Sequence, residues 1–405
     1  MLETEQIIAG LEIGTSKVCV VVGELIADGQ VRIIGVGQAP SRGVRKGELV
    51  DAAQATIDVR EAICNAEEMA NVEIRSLYLG VTGAHIRCRD SRGVKQIMSD
   101  DREITEEDVD DVVHNARVID LPADSAILHG IRQSFVVDDL QGVANPVGMV
   151  GSRLEANVHI IYGNKLHLNN PIHLVNSLQF EIAGVVFNGF AAALALLSNE
   201  QKEMGALVID LGGGVTNYVA YADGAICHSG VLAVGGDHVS NDLAYGLKIP
   251  LSLAEKLKLA HATAIMPQDV KGRTLPINSD TGQLTKTINL EHLHRIITLR
   301  LAEIFQIIAQ DVGKTGLLDY LRGGVVLCGG GAHIREIQRL AESTFQLPAR
   351  IGRATGISGI KDALDQPEFA TGIGLVKFGS LKQKTAKVSR ARSFIQKYFP
   401  SLKLL

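Results

Sequence analysis

Two stretches about 200 residues apart follow one plan, and that repeat constrains the fold more than any other feature of the chain. GLEIGTSKVCVVV (residues 10–22) reads as strand, glycine–hydroxyl corner and strand, followed by a turn at Ala27-Asp28-Gly29 and a strand over 31–36. IDLGGGVTNYVAY (residues 209–221) repeats the order, with a turn at Ala222-Asp223-Gly224 and a strand over 225–234. Asp-Gly between apolar runs marks a hairpin. A repeat this long points to two similar α/β halves and not to a short-period solenoid. Glycine inside a strand loses entropy on folding and packs nothing, so three together at Gly212, Gly213 and Gly214 need a reason.

Between the hairpins, the pattern predicts a helix over 48–69 and a strand over 77–81. A block at about 83–162 has strand-like alternation over 131–137 and 153–161. It also has a helix capped by Thr105, with Val109, Val112, Val113 and Ala116 on one face. Helix and strands within one block suggest a separate α+β module. Residues 235–300 read as mostly helical, with a Pro/Gly/Ser/Thr-rich excursion over 266–287. GVVLCGGGAHIREI (residues 324–337) then reads as a buried strand, a triple glycine and a helix.

With 405 residues, 46% of them hydrophobic and 21% charged, the chain can build a large core and more than one domain. Its acidic N-terminus lacks the basic flank of a signal peptide, and no apolar run approaches the roughly 20 residues that span a bilayer. Five cysteines without CxxC spacing read as reduced thiols, so a cytoplasmic chain is expected. The net charge is −5, yet no acidic residue follows Glu368 and eight basic ones run from Lys377 onward. An acidic body with a basic tail is not the profile of a nucleic-acid binder.

Glycine corners let consecutive backbone N–H groups converge with no Cβ in the way, which suits a phosphate chain. Hydroxyls add donors, and an aspartate closing the preceding strand, here Asp210, can hold Mg²⁺ through its waters. Two corners facing each other would grip a polyphosphate. Gly329, Gly330 and Gly331, ahead of a helix, would let backbone approach a sugar or α-phosphate. No GxxxxGK[ST] occurs, and the strand that follows the first corner excludes the dinucleotide-binding turn, which needs a helix there. His292 and His294, two apart on a helix, face different sides and make poor joint metal ligands.

These residues resemble the actin and heat-shock-chaperone ATPase superfamily: two α/β lobes around a nucleotide cleft. Within it LEIGTSK (11–17), IGVG (34–37), PSRG (40–43), KG (46–47), residues 109–116 with His114, NPVG (145–148) and VH (158–159) are similar to the bacterial FtsA family. The resemblance covers essentially the whole chain. It implies subdomain 1A at 1–82, 163–204 and about 370–379; a 1C insert at 83–162; subdomain 2A at 205–234 and 301–369; and a helical 2B at 235–300. It further implies ATP and Mg²⁺ as ligands. Gly14, Thr15, Ser16 and Lys17, with Gly212, Gly213, Gly214, Thr216 and Asn217, would surround the phosphates. Glu12 and Asp210 would lie near the metal, Gly329–Gly331 would face adenosine, and Glu255 and Lys258 would flank the ribose. Family members usually carry an acid where Asn217 stands, so slow hydrolysis at most is expected, and no catalytic base is assigned.

The tail RARSFIQKYFPSLKLL (390–405) places Phe394, Ile395, Tyr398, Phe399 and Leu402 on one helical stripe flanked by Arg390, Arg392, Lys397 and Lys403. That is the pattern of a helix lying in a membrane interface, each basic residue contributing about 1 kcal/mol near an anionic leaflet. Its rivals are a helix docked on the protein's own body and a disordered end. A basic linker at 380–389 would join it to the body. The resemblance implies a peripheral protein on the cytoplasmic face of the inner membrane at the division septum. Its partners would be the FtsZ C-terminal tail, bound through 235–300, other copies of itself in a filament, and later division proteins. Two alternatives stay open: a PilM-like adaptor of type IV pilus assembly, and a small-molecule kinase of the same superfamily.

Overall fold

The computed structural model describes residues 7–26, 30–278, 284–360 and 365–398. The first lobe opens with β1 (Ile7–Ile13), β2 (Lys17–Leu25) and β3 (Val31–Pro40), an antiparallel meander rich in Val and Ile that is buried along most of its length. The turn expected at 27–29 lies outside the described residues. Helix α1 (Ala52–Ala70) begins four residues later than its pattern predicts. Asp51 caps it, accepting from the Gln54 amide, while Glu48 and Leu49 form a short bridge strand instead. Strand β4 (Ser76–Val81) then pairs parallel to β1.

The insert follows as β5 (Arg87–Gln96), α2 (Glu106–Arg117), β6 (Ser125–Val137), β7 (Leu140–Val143) and β8 (Arg153–Asn164). Thr105 and Asp108 cap α2 reciprocally, and three acids sit in its first turn, where the helix dipole favours them. Val112 and Ala116 are buried, and Val109 and Val113 pack on the module's own core of Ile97, Ile104, Phe135 and Leu154. A four-stranded sheet, β5-β8-β6-β7, carries that core, so the block at 83–162 is a module with its own interior.

The first lobe resumes with α3 (Lys165–Ser177), β9 (Glu181–Phe187) and α4 (Asn188–Leu196). After α5 (Asn199–Met204) the second lobe repeats the plan with β10 (Ala206–Leu211), β11 (Thr216–Ala222) and β12 (Ala225–Leu232). The Asp223-Gly224 turn has both residues at positive φ, as a type I′ hairpin demands. Helices α6 (Gly236–Leu247) and α7 (Leu251–His261) precede a two-stranded hairpin, β13 (Thr274–Asn278) and β14 (Leu284–Asn289), where sequence suggested an irregular excursion. Helix α8 (Leu290–Lys314) runs without a break through residue 300, so the expected 2B–2A boundary falls inside one helix. Strand β15 (Val325–Cys328), α9 (Ile337–Phe345) and β16 (Ala349–Ile351) complete the second sheet.

The two sheets are topological copies. The first runs β9-β4-β1-β2-β3, with Ser358 and Gly359 adding a short edge; the second runs β16-β15-β10-β11-β12. In each, a central strand pairs parallel on one side and antiparallel on the other. One hydrophobic core fills the first lobe and continues past α4 onto one face of the second sheet, through Val208, Val219 and Val326, and a second core lies on that sheet's other face. These are the two similar α/β halves expected from the repeat, in the actin-like ATPase architecture that the resemblance implied.

Helix α10 (Ala370–Tyr398) packs its first turns against α4 and β1. The approach is close enough that a Cβ at Gly374 would collide with the Ala191 carbonyl. The segment 380–389, expected as a linker, continues this helix. LKQKTAKVS holds no Pro or Gly to stop it, and Lys, Leu and Gln favour the helix. Arg390, Arg392, Phe394, Ile395, Lys397 and Tyr398 fall on its last turns, while Phe399 and Leu402 lie outside the described residues. Among the described residues no helix is long and apolar enough to cross a membrane.

Candidate functional site

A cavity of about 690 Å³ opens between the lobes at the C-terminal ends of their parallel strands. Its walls are the two hairpin corners, which share one geometry. Gly14 N–H donates to the Lys17 carbonyl at 3.0 Å, and Gly212 N–H donates to the Val215 carbonyl at 3.0 Å. Each corner therefore turns inside its own loop, and residues between the paired positions face the gap. Gly14, Thr15, Ser16 and Lys17 line one side, and Gly212, Gly213 and Gly214 line the other. The corners nearly touch. A Cβ on Gly214 would sit 2.5 Å from Thr15 Oγ1 and 2.9 Å from Lys46 backbone, so only glycine lets them approach. Thr15 Oγ1 accepts from Gly47 N–H at 3.0 Å, which leaves its own proton for something in the cavity.

Glu12 and Asp210 form the floor and occupy equivalent positions. Glu12 ends β1 beside Gly80 of β4, and Asp210 ends β10 beside Cys328 of β15. Burial and the Asp210 charge raise the Glu12 carboxyl to about 8, against the opposing pull of Lys17. Asp210 is raised as well, chiefly by burial, although Asn217 Nδ2 donates to its Oδ2 at 2.9 Å. Glu12 Oε2 is buried without a hydrogen-bond partner. Two buried carboxylates, one with an orphaned oxygen, fit a hard divalent cation that keeps part of its water shell. Among the described residues no group of three or more His, Cys, Asp or Glu side chains is placed to hold a metal by itself, so solvent or ligand oxygens must complete such a site.

The remaining wall comes from α7 and the turn after β15. Glu255 and Lys258, one turn apart, pair at 2.7 Å, and Lys258 Nζ also donates to the Gly236 carbonyl at 3.2 Å. Gly329, Gly330 and Gly331 line the cavity opposite them. A Cβ on Gly330 would meet nothing within 4 Å, so this backbone faces open space. Lys17 Nζ lies 4.4 Å from the centre of the Phe369 ring.

Of the residues singled out on sequence, Thr216 does not line the cavity. It is fully buried, and its hydroxyl donates to the Val234 carbonyl at 2.8 Å. The alternation of β11 turns Thr216 away and its neighbour Asn217 inward. Asn217 lies under the cavity, where Thr82 Oγ1 donates to its Oδ1 at 2.5 Å. His294 is buried with Nδ1 unpartnered, whereas His292 is exposed.

Several lining residues escaped the sequence reading: Gln38, Thr82, Asn188, Asp237, Arg335 and Glu368. Thr82 and Asn188 follow the parallel strands β4 and β9, and the rule that ligands sit beyond strand C-termini could have found them. Asp237 enters because its N–H bonds the Gly213 carbonyl at 2.8 Å. Burial would raise the Glu368 carboxyl, but a 2.6 Å bond to His333, with Lys17 nearby, holds it below its ordinary value.

Comparison with known proteins gives a consistent picture. The family profile for "Cell division protein FtsA" matches residues 207–374, and that for the "SHS2 domain inserted in FTSA" matches 83–162. The cell division protein FtsA of Borreliella burgdorferi is 38% identical over 404 residues, covering 97% of each chain. That of Pseudomonas aeruginosa is 34% identical over 382 residues, covering 94% of this chain and 91% of its own. Among solved structures, a chain of the PilM-PilN type IV pilus biogenesis complex superposes with a TM-score of 0.64 at 17% identity, covering 92% of this chain and 98% of its own. MreB5 of Spiroplasma citri bound to ADP gives 0.57 at 14%, covering 95% and 99%. At such identities these two likenesses are likenesses of fold.

Proposed function

This chain belongs to the FtsA family of cell-division proteins, and from that premise we propose that it binds Mg·ATP between its lobes and ties FtsZ filaments to the cytoplasmic membrane. The observation that carries the nucleotide half is the pair of matching glycine corners facing each other above Glu12 and Asp210. The amides of residues 15–16 and 213–214, the free proton of Thr15 Oγ1 and the Lys17 ammonium would bind the phosphates. Glu12 and Asp210 would hold the magnesium, which offsets the repulsion between an acidic floor and a polyphosphate. Asn217 would keep the Asp210 carboxylate oriented through its 2.9 Å bond. Gly330 would give adenosine room against bare backbone, and Glu255 and Lys258, already paired, would flank the ribose.

No side chain here is assigned the role of removing a proton from an attacking water. The carboxylate usual in the family is replaced by Asn217, which supports ATP acting mainly as a conformational ligand with slow turnover. In the ligand-free state the raised Glu12 carboxyl keeps its proton near neutrality, and metal binding would displace it.

The membrane half rests on the tail sequence, where basic residues flank an apolar stripe and acids are absent. The attachment would be peripheral, on the inner face of the membrane at the division septum. The helical region around α6 and α7 would take the FtsZ C-terminal tail. Copies of the chain would line up as a filament that recruits later division proteins. The test is co-sedimentation of FtsZ with anionic lipid vesicles, with and without this protein and ATP. FtsZ should pellet only when the full chain is present, and deleting residues 388–405 should release both proteins. FtsZ pelleting undiminished by that deletion would refute the tether.

A further inference from the structure

The turn ahead of helix α10 touches the cavity from both lobes. Pro367, Glu368 and Phe369 form a short 3₁₀ turn that runs straight into α10. The Pro367 carbonyl accepts from Gly329 N–H at 3.0 Å, and Glu368 Oε2 lies 2.6 Å from His333 Nε2. Two of its three residues therefore hold the glycine turn after β15. The third faces the first lobe. The Phe369 ring, 7% exposed, has the Lys17 ammonium 4.4 Å from its centre. Among the described residues no carboxylate takes a hydrogen bond or close ion pair from Lys17, so the ring is its near partner.

The helix that follows has little slack. A Cβ on Gly372 would lie 2.5 Å from Val21 Cγ2 of β2, and Gly374 already abuts the Ala191 carbonyl. Ile373, Leu375 and Val376 are buried in the first-lobe core. In packing this tight, releasing one contact at the head of the helix shifts the helix and is not absorbed in place.

We propose that Phe369 is a positioning residue that holds Lys17 in the empty cavity, and that a nucleoside polyphosphate, by drawing Lys17 off the ring, loosens the seat of α10. The inference rests on the reading that the cavity takes Mg·ATP.

The two states differ in one contact. In the empty protein the turn is braced on Lys17 as well as on Gly329 and His333. In the filled protein the ammonium goes to phosphate oxygens, because a full negative charge with a hydrogen bond attracts it more strongly than the face of a ring. The bonds of Pro367 and Glu368 to the second lobe stay, so the turn is then held from one lobe only. Helix α10 is unbroken through Tyr398, and its far end shares in the change. Such coupling is reciprocal: whatever fixes the far end alters the affinity of the cavity by the same factor. With one cation–ring contact exchanged, that factor is at most about tenfold.

Hydrogen exchange of the full chain with and without Mg·ATP, alongside calorimetry, tests it. In the parent, Mg·ATP should slow exchange over residues 10–22 and 206–218 and speed it severalfold over 369–380. Phe369→Leu should bind Mg·ATP about three- to tenfold more tightly, since Lys17 no longer has to leave a ring. In that variant Mg·ATP should no longer speed exchange over 369–380. A ring that served packing alone would give weaker or unchanged binding when replaced. A parent that takes up no Mg·ATP refutes the nucleotide reading and this coupling with it. A parent that binds Mg·ATP yet exchanges no faster over 369–380 overturns the coupling alone. So does a natively folded Phe369→Leu protein whose affinity is unchanged or weaker.

Discussion

Glu12 is held in a state that costs the empty protein stability. Its carboxyl ionises near pH 8 in the folded chain, against 4.5 ordinarily, because burial and Asp210 oppose the charge. The native state therefore keeps a proton that the unfolded chain has already released, and stability falls as pH rises from about 4.5 to 8. The melting temperature of ligand-free protein should drop between pH 6 and pH 8.5, by several degrees. Glu12→Gln should flatten that slope and raise the melting temperature at pH 8.5, while Mg·ATP binding weakens at least tenfold. A pH profile identical in the variant would remove Glu12 from this account. Asp210, raised by burial, adds to the slope in the same direction. Such a penalty is understandable at a place kept for a cation.

At the scale of elements, the glycine corners separate packing from binding. Gly330→Ala places a methyl in open cavity space, so it should lower nucleotide affinity roughly tenfold and leave the melting temperature within about a degree. Gly214→Ala drives a methyl against Thr15 and the Lys46 backbone, so it should lower both. Calorimetry and thermal unfolding on the same two variants decide it; equal effects would mean that Gly330 does not face the ligand. The hairpin that follows the second corner was legible in sequence because the Asp223-Gly224 turn and β-alternation act locally. The insert was legible through Thr105 and the 3.6-residue spacing of α2. The end of the helical region was not, because the apolar period of α8 passes Arg300 with no Gly, Pro or cap to mark a boundary. Nor were Arg335 and Glu368, since nothing local distinguishes them and only the packing of distant segments brings them to the cavity. Thr216 was misplaced by one position in a strand, which reverses the face.

Across the whole molecule, the lobes are joined beneath the cavity by a bond from Thr82 of the first to Asn217 of the second, and Asn217 in turn holds Asp210. The contact is buried, so Thr82→Val would strand the Asn217 oxygen at a cost of about 1–3 kcal/mol. The urea midpoint should fall accordingly, and saturating Mg·ATP should recover part of the loss by gripping both lobes at once. A variant as stable as the parent would show the lobes to be held elsewhere. The contact of β12 with the insert is a second bridge, so nucleotide and insert both bear on the angle between the lobes. Helix α10 begins in the first-lobe core and continues as one helix through Tyr398, its 29 residues reaching about 43 Å at 1.5 Å each. Such a rod resists torsion, unlike a slack tether. Any surface gripping its far end would therefore set the roll of the body above it, and neighbouring copies would arrive already facing the same way.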